Sequence, residues 1–223
     1  MKVMALAGLL WAAWAAFPVR AGETPPPGNY GQAMRWYEDA AGRGSARARF
    51  YMGLIMETGQ RGDADPAAAA RWYELAARQD HVQAQYKLGL LYYGGIGVER
   101  DLSRAAHWYG RAAAGGSGPA RYNLGLMAER GQGMERDPAR AVRLYEQAAI
   151  AGIQPARLRL GYLYAEGAGI GRDRVRALMW LEMAGGAAGA RAFRRSLIEA
   201  MNPEEIAEAR RLAARGPAPE RRP

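Results

Sequence analysis

The stretch 93-YGGIGVERD-101 carries three glycines behind an apolar run and ahead of an acidic residue. Such a composition suits a loop that cradles a phosphate on backbone N–H groups. Phosphate loops of that kind read G-x-x-x-x-G-K-[ST], with the lysine reaching the phosphates. The chain has only Lys2 and Lys87, and Lys87 follows Tyr86, so the requirement is not met. The two histidines, His81 and His107, stand outside any H-x-x-x-H or H-E-x-x-H pair, and no cysteine is present to complete a zinc site. His107 therefore reads as an ordinary helix-surface residue beside Trp108. Ser45, Ser103, Ser117 and Ser196 are the only serines, and none lies in G-x-S-x-G or S-x-x-K. Glu57, Glu129 and Glu166 near glycine segments imitate paired carboxylates, but Glu57 and Glu129 are far apart in sequence. No catalytic residue, metal-ligand set or cofactor is read from these patterns.

The glycines have a different cause, visible in the elements around them. Leu88-Gly89 recurs as Met52-Gly53, Leu124-Gly125 and Leu160-Gly161, at a spacing of 36 residues. Asp65, Asp101, Asp137 and Asp173 keep the same spacing, as do Trp36-Tyr37, Trp72-Tyr73, Trp108-Tyr109, Leu144-Tyr145 and Trp180-Leu181. A period of this length marks a repeat architecture. The opening stretch is one of four: 57-ETGQRGDAD-65, 93-YGGIGVERD-101, 129-ERGQGMERD-137 and 165-AEGAGIGRD-173. Gly59, Gly95, Gly131 and Gly167 fit a helix end, where glycine takes the left-handed conformation cheaply. The Asp that follows is placed to cap the next helix, and Pro66 and Pro138 suit a first helical position.

Each unit reads as helix A, glycine turn, helix B. In the second unit the spacing predicts helix A over 82–94 and helix B over 102–114. Gly53, Gly89, Gly125 and Gly161 sit inside helix A, where glycine costs about 1 kcal/mol against alanine. Close helix–helix approach explains their recurrence, with Ala105 and Ala112 as the expected opposing surface. The pattern 84-AQYKLGLLYYGGIGVERDLSRAAHWYGRAA-113 resembles the Sel1-like repeat family, relatives of the tetratricopeptide repeats. Arg61, Met56 and Ala128 depart locally from that pattern.

The resulting organisation is an all-α, α/α solenoid of four full 36-residue units near 45–80, 81–116, 117–152 and 153–188. A lone helix B at 30–43 precedes them, and capping helices over 190–215 close an array spanning 30–215. Residues 1–21 read as a secretory signal: a basic start, the apolar 3-VMALAGLLWAAWAAF-17, and small Val19 and Ala21 before the expected cleavage. Residues 22–29 read as a linker and 216–223 as a mobile tail. The formal charge is +9, carried almost wholly by arginine, and cleavage removes Lys2 and Arg20. Without cysteine, the chain has neither disulfides nor a cysteine-borne lipid anchor. These features point to a periplasmic or secreted bacterial protein, without stable membrane insertion after cleavage.

Resemblance to the related tetratricopeptide geometry implies that helix A lines a concave face. Positions three before the packing glycine then hold Phe50, Tyr86, Tyr122 and Leu158; one after it, Leu54, Leu90, Leu126 and Tyr162; four after it, Glu57, Tyr93, Glu129 and Ala165. Tyrosine offers wide contact area with few rotors to freeze. The expectation is a monomeric, non-enzymatic scaffold in the cell envelope that grips a protein or peptide through Phe50, Leu54, Tyr86, Leu90, Tyr93, Tyr122, Leu126, Glu129 and Tyr162. Some relatives carry a β-lactamase or penicillin-binding label, so a cell-wall-directed enzyme is the alternative; the missing S-x-x-K weighs against it. Alternating Arg and Glu, as in 204-EEIAEARR-211, read as a solvated face, so nucleic acid is not an expected partner.

Overall fold

The computed structural model describes residues 30–216 apart from positions 61, 169, 187 and 188. The expected signal, the linker and the tail beyond Gly216 lie outside them. Among the described residues there are eleven helices and no strand. A lone helix B, α1 (Tyr30–Gly42), leads into four A–B pairs: α2 (Ala46–Thr58) with α3 (Pro66–Ala77), α4 (Val82–Gly94) with α5 (Leu102–Ala114), α6 (Gly118–Arg130) with α7 (Pro138–Ile150), and α8 (Gln154–Glu166) with α9 (Arg174–Met183). The array ends in α10 (Ala190–Glu199) and α11 (Pro203–Arg215). Each A helix packs on its own B helix and on the B helix before it, and α11 covers α9. That nearest-neighbour stacking is an α/α solenoid.

Local chemistry sets the ends of each helix. Gly59, Gly95, Gly131 and Gly167 adopt left-handed conformations, with φ from 65° to 77°, and donate their N–H groups to Ile55, Leu91, Met127 and Leu163. Asp65, Asp101, Asp137 and Asp173 precede the B helices, and their carboxylates accept from the N–H groups of Ala68, Arg104, Arg140 and Arg176. Asn202 and Glu205 form a reciprocal capping box at the start of α11.

The packing glycines do not face small residues. A Cβ on Gly89 would stand 2.6 Å from Cδ1 of Tyr109, and one on Gly125 would stand 2.7 Å from Cε1 of Tyr145. Gly53 meets Tyr73 in the same way, and Gly161 meets Leu181. The expectation that Ala105 and Ala112 oppose Gly89 is therefore corrected: the missing side chain makes room for the tyrosine of the Trp-Tyr pair. Tyr73, Tyr109 and Tyr145 are at most 1% exposed. Burying such a ring contributes roughly 2–3 kcal/mol, which outweighs the helix propensity lost at one glycine.

A second glycine in two of the turns ties neighbouring units together. Gly97 and Gly133 have φ of 70°, and a Cβ there would run into the backbone of Pro66–Ala67 and Leu102–Ser103, the start of the previous B helix. Gly131 shares the left-handed conformation, but a Cβ there would meet only Arg136, at 3.2 Å from its Cβ. Gly133→Ala is accordingly expected to lower the melting temperature clearly more than Gly131→Ala. Equal losses would show that the contact between units carries no weight.

Candidate functional site

The residues singled out on the A helices are half-buried and form one row along the A layer. Phe50, Leu54, Tyr86, Leu90, Tyr93, Tyr122, Leu126, Glu129 and Tyr162 are all partly exposed; Ala165 is buried. The inner edge of the row serves the core. Phe50 packs against Tyr73 with ring centroids 5.7 Å apart, Tyr86 against Tyr109 at 5.9 Å, and Tyr122 against Tyr145 at 5.7 Å. At the far end Tyr162 meets Phe193 at 4.6 Å. Phe50, Tyr86 and Tyr122 thus rest on the rings that fill the glycine notches and stay partly exposed.

The carboxylates in the row are occupied. Glu129 accepts from the hydroxyl of Tyr145 at 2.7 Å and is gripped by both ends of the Arg159 guanidinium in the next unit. Glu57 does the same with Tyr73 and Lys87, whose ammonium lies 2.9 Å away. Burial works against the charged form of Glu129, yet the hydrogen bonds from Arg159 and Tyr145 hold its carboxyl below the usual range. Burial, then the Glu129 bond, pushes the Tyr145 hydroxyl well above the usual phenol range. Glu57 and Glu129 therefore act as clamps between units, and they do not converge on one site.

These clamps sit beside the departures at Met56 and Ala128. In units two and four that position holds Tyr92 and Tyr164, whose hydroxyls take a hydrogen bond from Arg104 and Arg176 at 3.3 Å. Units one and three lack that tyrosine and carry the Glu clamp at the following residue. Another recurring device escaped sequence reasoning. Arg49, Gln85 and Arg157 donate to the carbonyls of Ala41, Ala77 and Ala149, each at 3.1 Å, at the C-terminal ends of the preceding B helices. The signal lay in the shared position, four before each packing glycine, but two residue types hid it.

His81 also has a role that its lone occurrence concealed. It caps α4, its Nδ1 accepting from the N–H of Ala84 at 3.3 Å, where Ser45 and Ser117 use a hydroxyl at the same distance. Burial, followed by the Arg47 cation, pushes its pKa down to about 4. The neutral form is the one the fold keeps, so His81 stabilises fully above the ordinary value of 6.5, and that contribution is lost as pH falls toward 4. Between pH 7 and 4, His81→Ser is expected to lose about 1–2 kcal/mol less stability than the wild type in denaturant titrations, a value reduced for partial exposure. Parallel losses would remove His81 from the acid response. His107 is exposed, its ring set edge-on to Trp108. Among the described residues no group of three or more His, Asp and Glu is arranged to hold a metal ion, and no helix is long and apolar enough to cross a membrane.

Comparison with known proteins agrees with this geometry. The Sel1 repeat model matches residues 20–45, 46–81, 82–117, 118–153 and 154–185. The chain belongs to the Sel1 repeat family. A crystal structure of a Sel1 repeat protein from Oxalobacter formigenes is similar at TM-score 0.72 and 32% identity, over 95% of this chain and 86% of that one. The structure of c5321, a protective antigen present in uropathogenic Escherichia coli strains and displaying an SLR fold, matches at TM-score 0.55 and 24% identity, over 95% of this chain and 52% of that one. A search of curated proteins returned no match. Sel1 repeats generally mediate protein–protein interaction and are typically non-enzymatic scaffolds. In this Sel1 repeat protein, the A-layer row combines partial exposure with large apolar and aromatic side chains.

Proposed function

We propose that this Sel1 repeat protein is a periplasmic, non-enzymatic scaffold that binds a protein or peptide along the concave, A-helix face of its array. The row of half-buried aromatic and aliphatic edges from Phe50 to Tyr162 carries this reading. Phe50, Tyr86 and Tyr122 are held in place by the buried tyrosines beneath them, so little of their side-chain freedom is lost when a partner covers them. The secretory character of residues 1–21 supports the location.

The test is a cross-linked pull-down from periplasm with residues 22–223, comparing wild type with a Tyr86→Ala/Tyr122→Ala/Tyr162→Ala variant whose helicity and melting have been verified. The expected result is a protein captured by the wild type and lost by the variant. A partner retained by both moves the site off the A face, and no partner with either removes the scaffold reading.

A further inference from the structure

The turns at 44–47, 79–83 and 115–117 surround a cavity of about 600 Å³. Small-ligand sites occupy roughly 300–1,000 Å³, so the space fits one or two residues of a chain and excludes a folded domain. Phe50, Tyr51 and His81 line its apolar side, and Phe50 joins it to the A-layer row. The His81 ring stacks on Phe50 with centroids 4.7 Å apart and planes 24° from parallel. The Arg47 guanidinium, also in the wall, is spent on the hydroxyl of Tyr51.

The middle turn departs from its sisters at two adjacent positions. Gly44, Gly116 and Gly152 take φ of 98°, 95° and 87° where the second unit carries Asp80 at φ 60°. Among the described residues no other side chain is held at positive φ, a conformation glycine adopts more cheaply. His81 follows, in place of the serine that caps α2 and α6; Ser45 and Ser117 make the equivalent bond at the equivalent distance. The fold uses only half of each new side chain. Arg111 at 2.6 Å and Gln85 at 3.2 Å both donate to Oδ1 of Asp80, and Oδ2 accepts no bond among the described residues. The Asp80 side chain is 79% exposed, which leaves that oxygen open. Because Nδ1 of His81 accepts the cap bond, the neutral imidazole carries its proton on Nε2. That N–H has no partner among the described residues either. Burial and the Arg47 cation keep the ring neutral well below pH 7. One acceptor, one donor and an aromatic face are left over at the wall.

We propose that this cavity holds one extended, uncharged residue of a partner's chain, with its main-chain N–H on Oδ2 of Asp80, its carbonyl on Nε2–H of His81 and its apolar side chain on the Phe50–His81 wall. The proposal rests on the reading of the array as a protein-binding scaffold. It adds that the partner is gripped by its backbone at the boundary between the first two units. In an extended residue the N–H and C=O lie on the same side of the chain, which suits an acceptor and a donor on adjacent residues. The charged side chains of the lining, Arg47 and Asp80, are of opposite sign and each is engaged, so a neutral main chain fits better than a charged terminus. Main-chain bonds then give affinity, and the aromatic wall selects the side chain.

The chain has only two histidines, so imidazole NMR resonances report the site directly, with exposed His107 as the internal reference. The probes are N-acetylphenylalanine N-methylamide, its twin methylated on the phenylalanine nitrogen, and methyl glucoside as a neutral sugar. The expected result is a saturable shift at His81 and none at His107 with the first probe, and at least tenfold weaker binding of the methylated twin. In Asp80→Gly the two amides are expected to bind alike, because the acceptor for that N–H is gone. Asp80→Gly/His81→Ser restores the turn its sister units use, so its melting at pH 7 is expected to stay near wild type. Equilibrium dialysis is expected to show at least tenfold weaker binding of the first probe to that variant. Equal binding of the two amides to the wild type, a methylation penalty that persists in Asp80→Gly, or no shift at His81 overturns the proposal. Methyl glucoside shifting His81 where neither amide does overturns the peptide source and leaves a saccharide as the ligand. Periplasmic capture that survives Asp80→Gly/His81→Ser but fails in the triple tyrosine variant leaves the scaffold reading intact and removes this one.

Discussion

Gly89→Val is expected to lower the melting temperature by roughly 6–12 °C, the equivalent of about 3 kcal/mol in a domain of this size. The branched side chain would begin 2.6 Å from Cδ1 and 2.7 Å from Cε1 of Tyr109, a ring that is 1% exposed. Rings so enclosed have no alternative rotamer to occupy, and a close-packed interior transmits the strain. Either α4 separates from α5 or the ring is expelled, with loss of its burial. A double-mutant cycle identifies the cause. Gly89→Ala is expected to be costly beside Tyr109 and nearly free in a Tyr109→Ala background, because the notch then has nothing to hold. Additive effects, or an unchanged melting temperature in Gly89→Val, would sink the packing account.

The second large effect is expected at Glu129. Glu129→Ala leaves the Tyr145 hydroxyl and the Arg159 guanidinium without their shared acceptor, in a place where the carboxylate side chain is 13% exposed. Breaking a fully buried pair costs about 3–5 kcal/mol; Arg159 is 37% exposed, so solvent screening reduces the expected loss to about 2–3 kcal/mol. Glu57→Ala is the internal control. Its partner ammonium and carboxylate are 30% and 31% exposed, and about 1 kcal/mol is expected. The pH response has a defined sign. Since the folded carboxyl of Glu129 lies below the usual range, its stabilising contribution is present at neutral pH and disappears as pH falls through the carboxylate range. Chemical denaturation at pH 7 and pH 3 therefore separates the wild type from Glu129→Ala less at the lower pH. Equal losses for Glu57→Ala and Glu129→Ala would show that burial does not grade the clamps.

Much of the fold was legible because a repeat states each rule several times. The predicted bounds 82–94 and 102–114 are those of α4 and α5. Turn glycines, capping aspartates and N-terminal prolines act within one or two turns of chain, so their meaning is local. The pairing of Gly89 with Tyr109 was read only halfway. The need for space showed in the recurring glycine, but the occupant is set by how two helices are rotated against each other. The clamps were harder still. Glu57 and Lys87 stand in different units, as do Glu129 and Arg159, and the pairs occupy alternate boundaries only. A 36-residue comparison averages over that alternation. Met56 and Ala128 read as local departures, and the structure shows that the tyrosines at that position in the other units, Tyr92 and Tyr164, bond Arg104 and Arg176.

The sequence by itself determined the helix order, the turns and the family resemblance, because periodicity and local capping follow from covalent chain geometry. The row from Phe50 to Tyr162 came only as what the tetratricopeptide resemblance implies. Tertiary structure alone decided which members of that row remain available. It showed that the carboxylate of Glu129 is spent between units while the outer edges of the aromatics are not, and it gathered Arg47, Phe50 and His81 around one cavity. The physical reason is distance. Hydrogen bonds, ring stacking and burial act over a few ångströms in space, and only the folded array brings residues some 30 positions apart within that range.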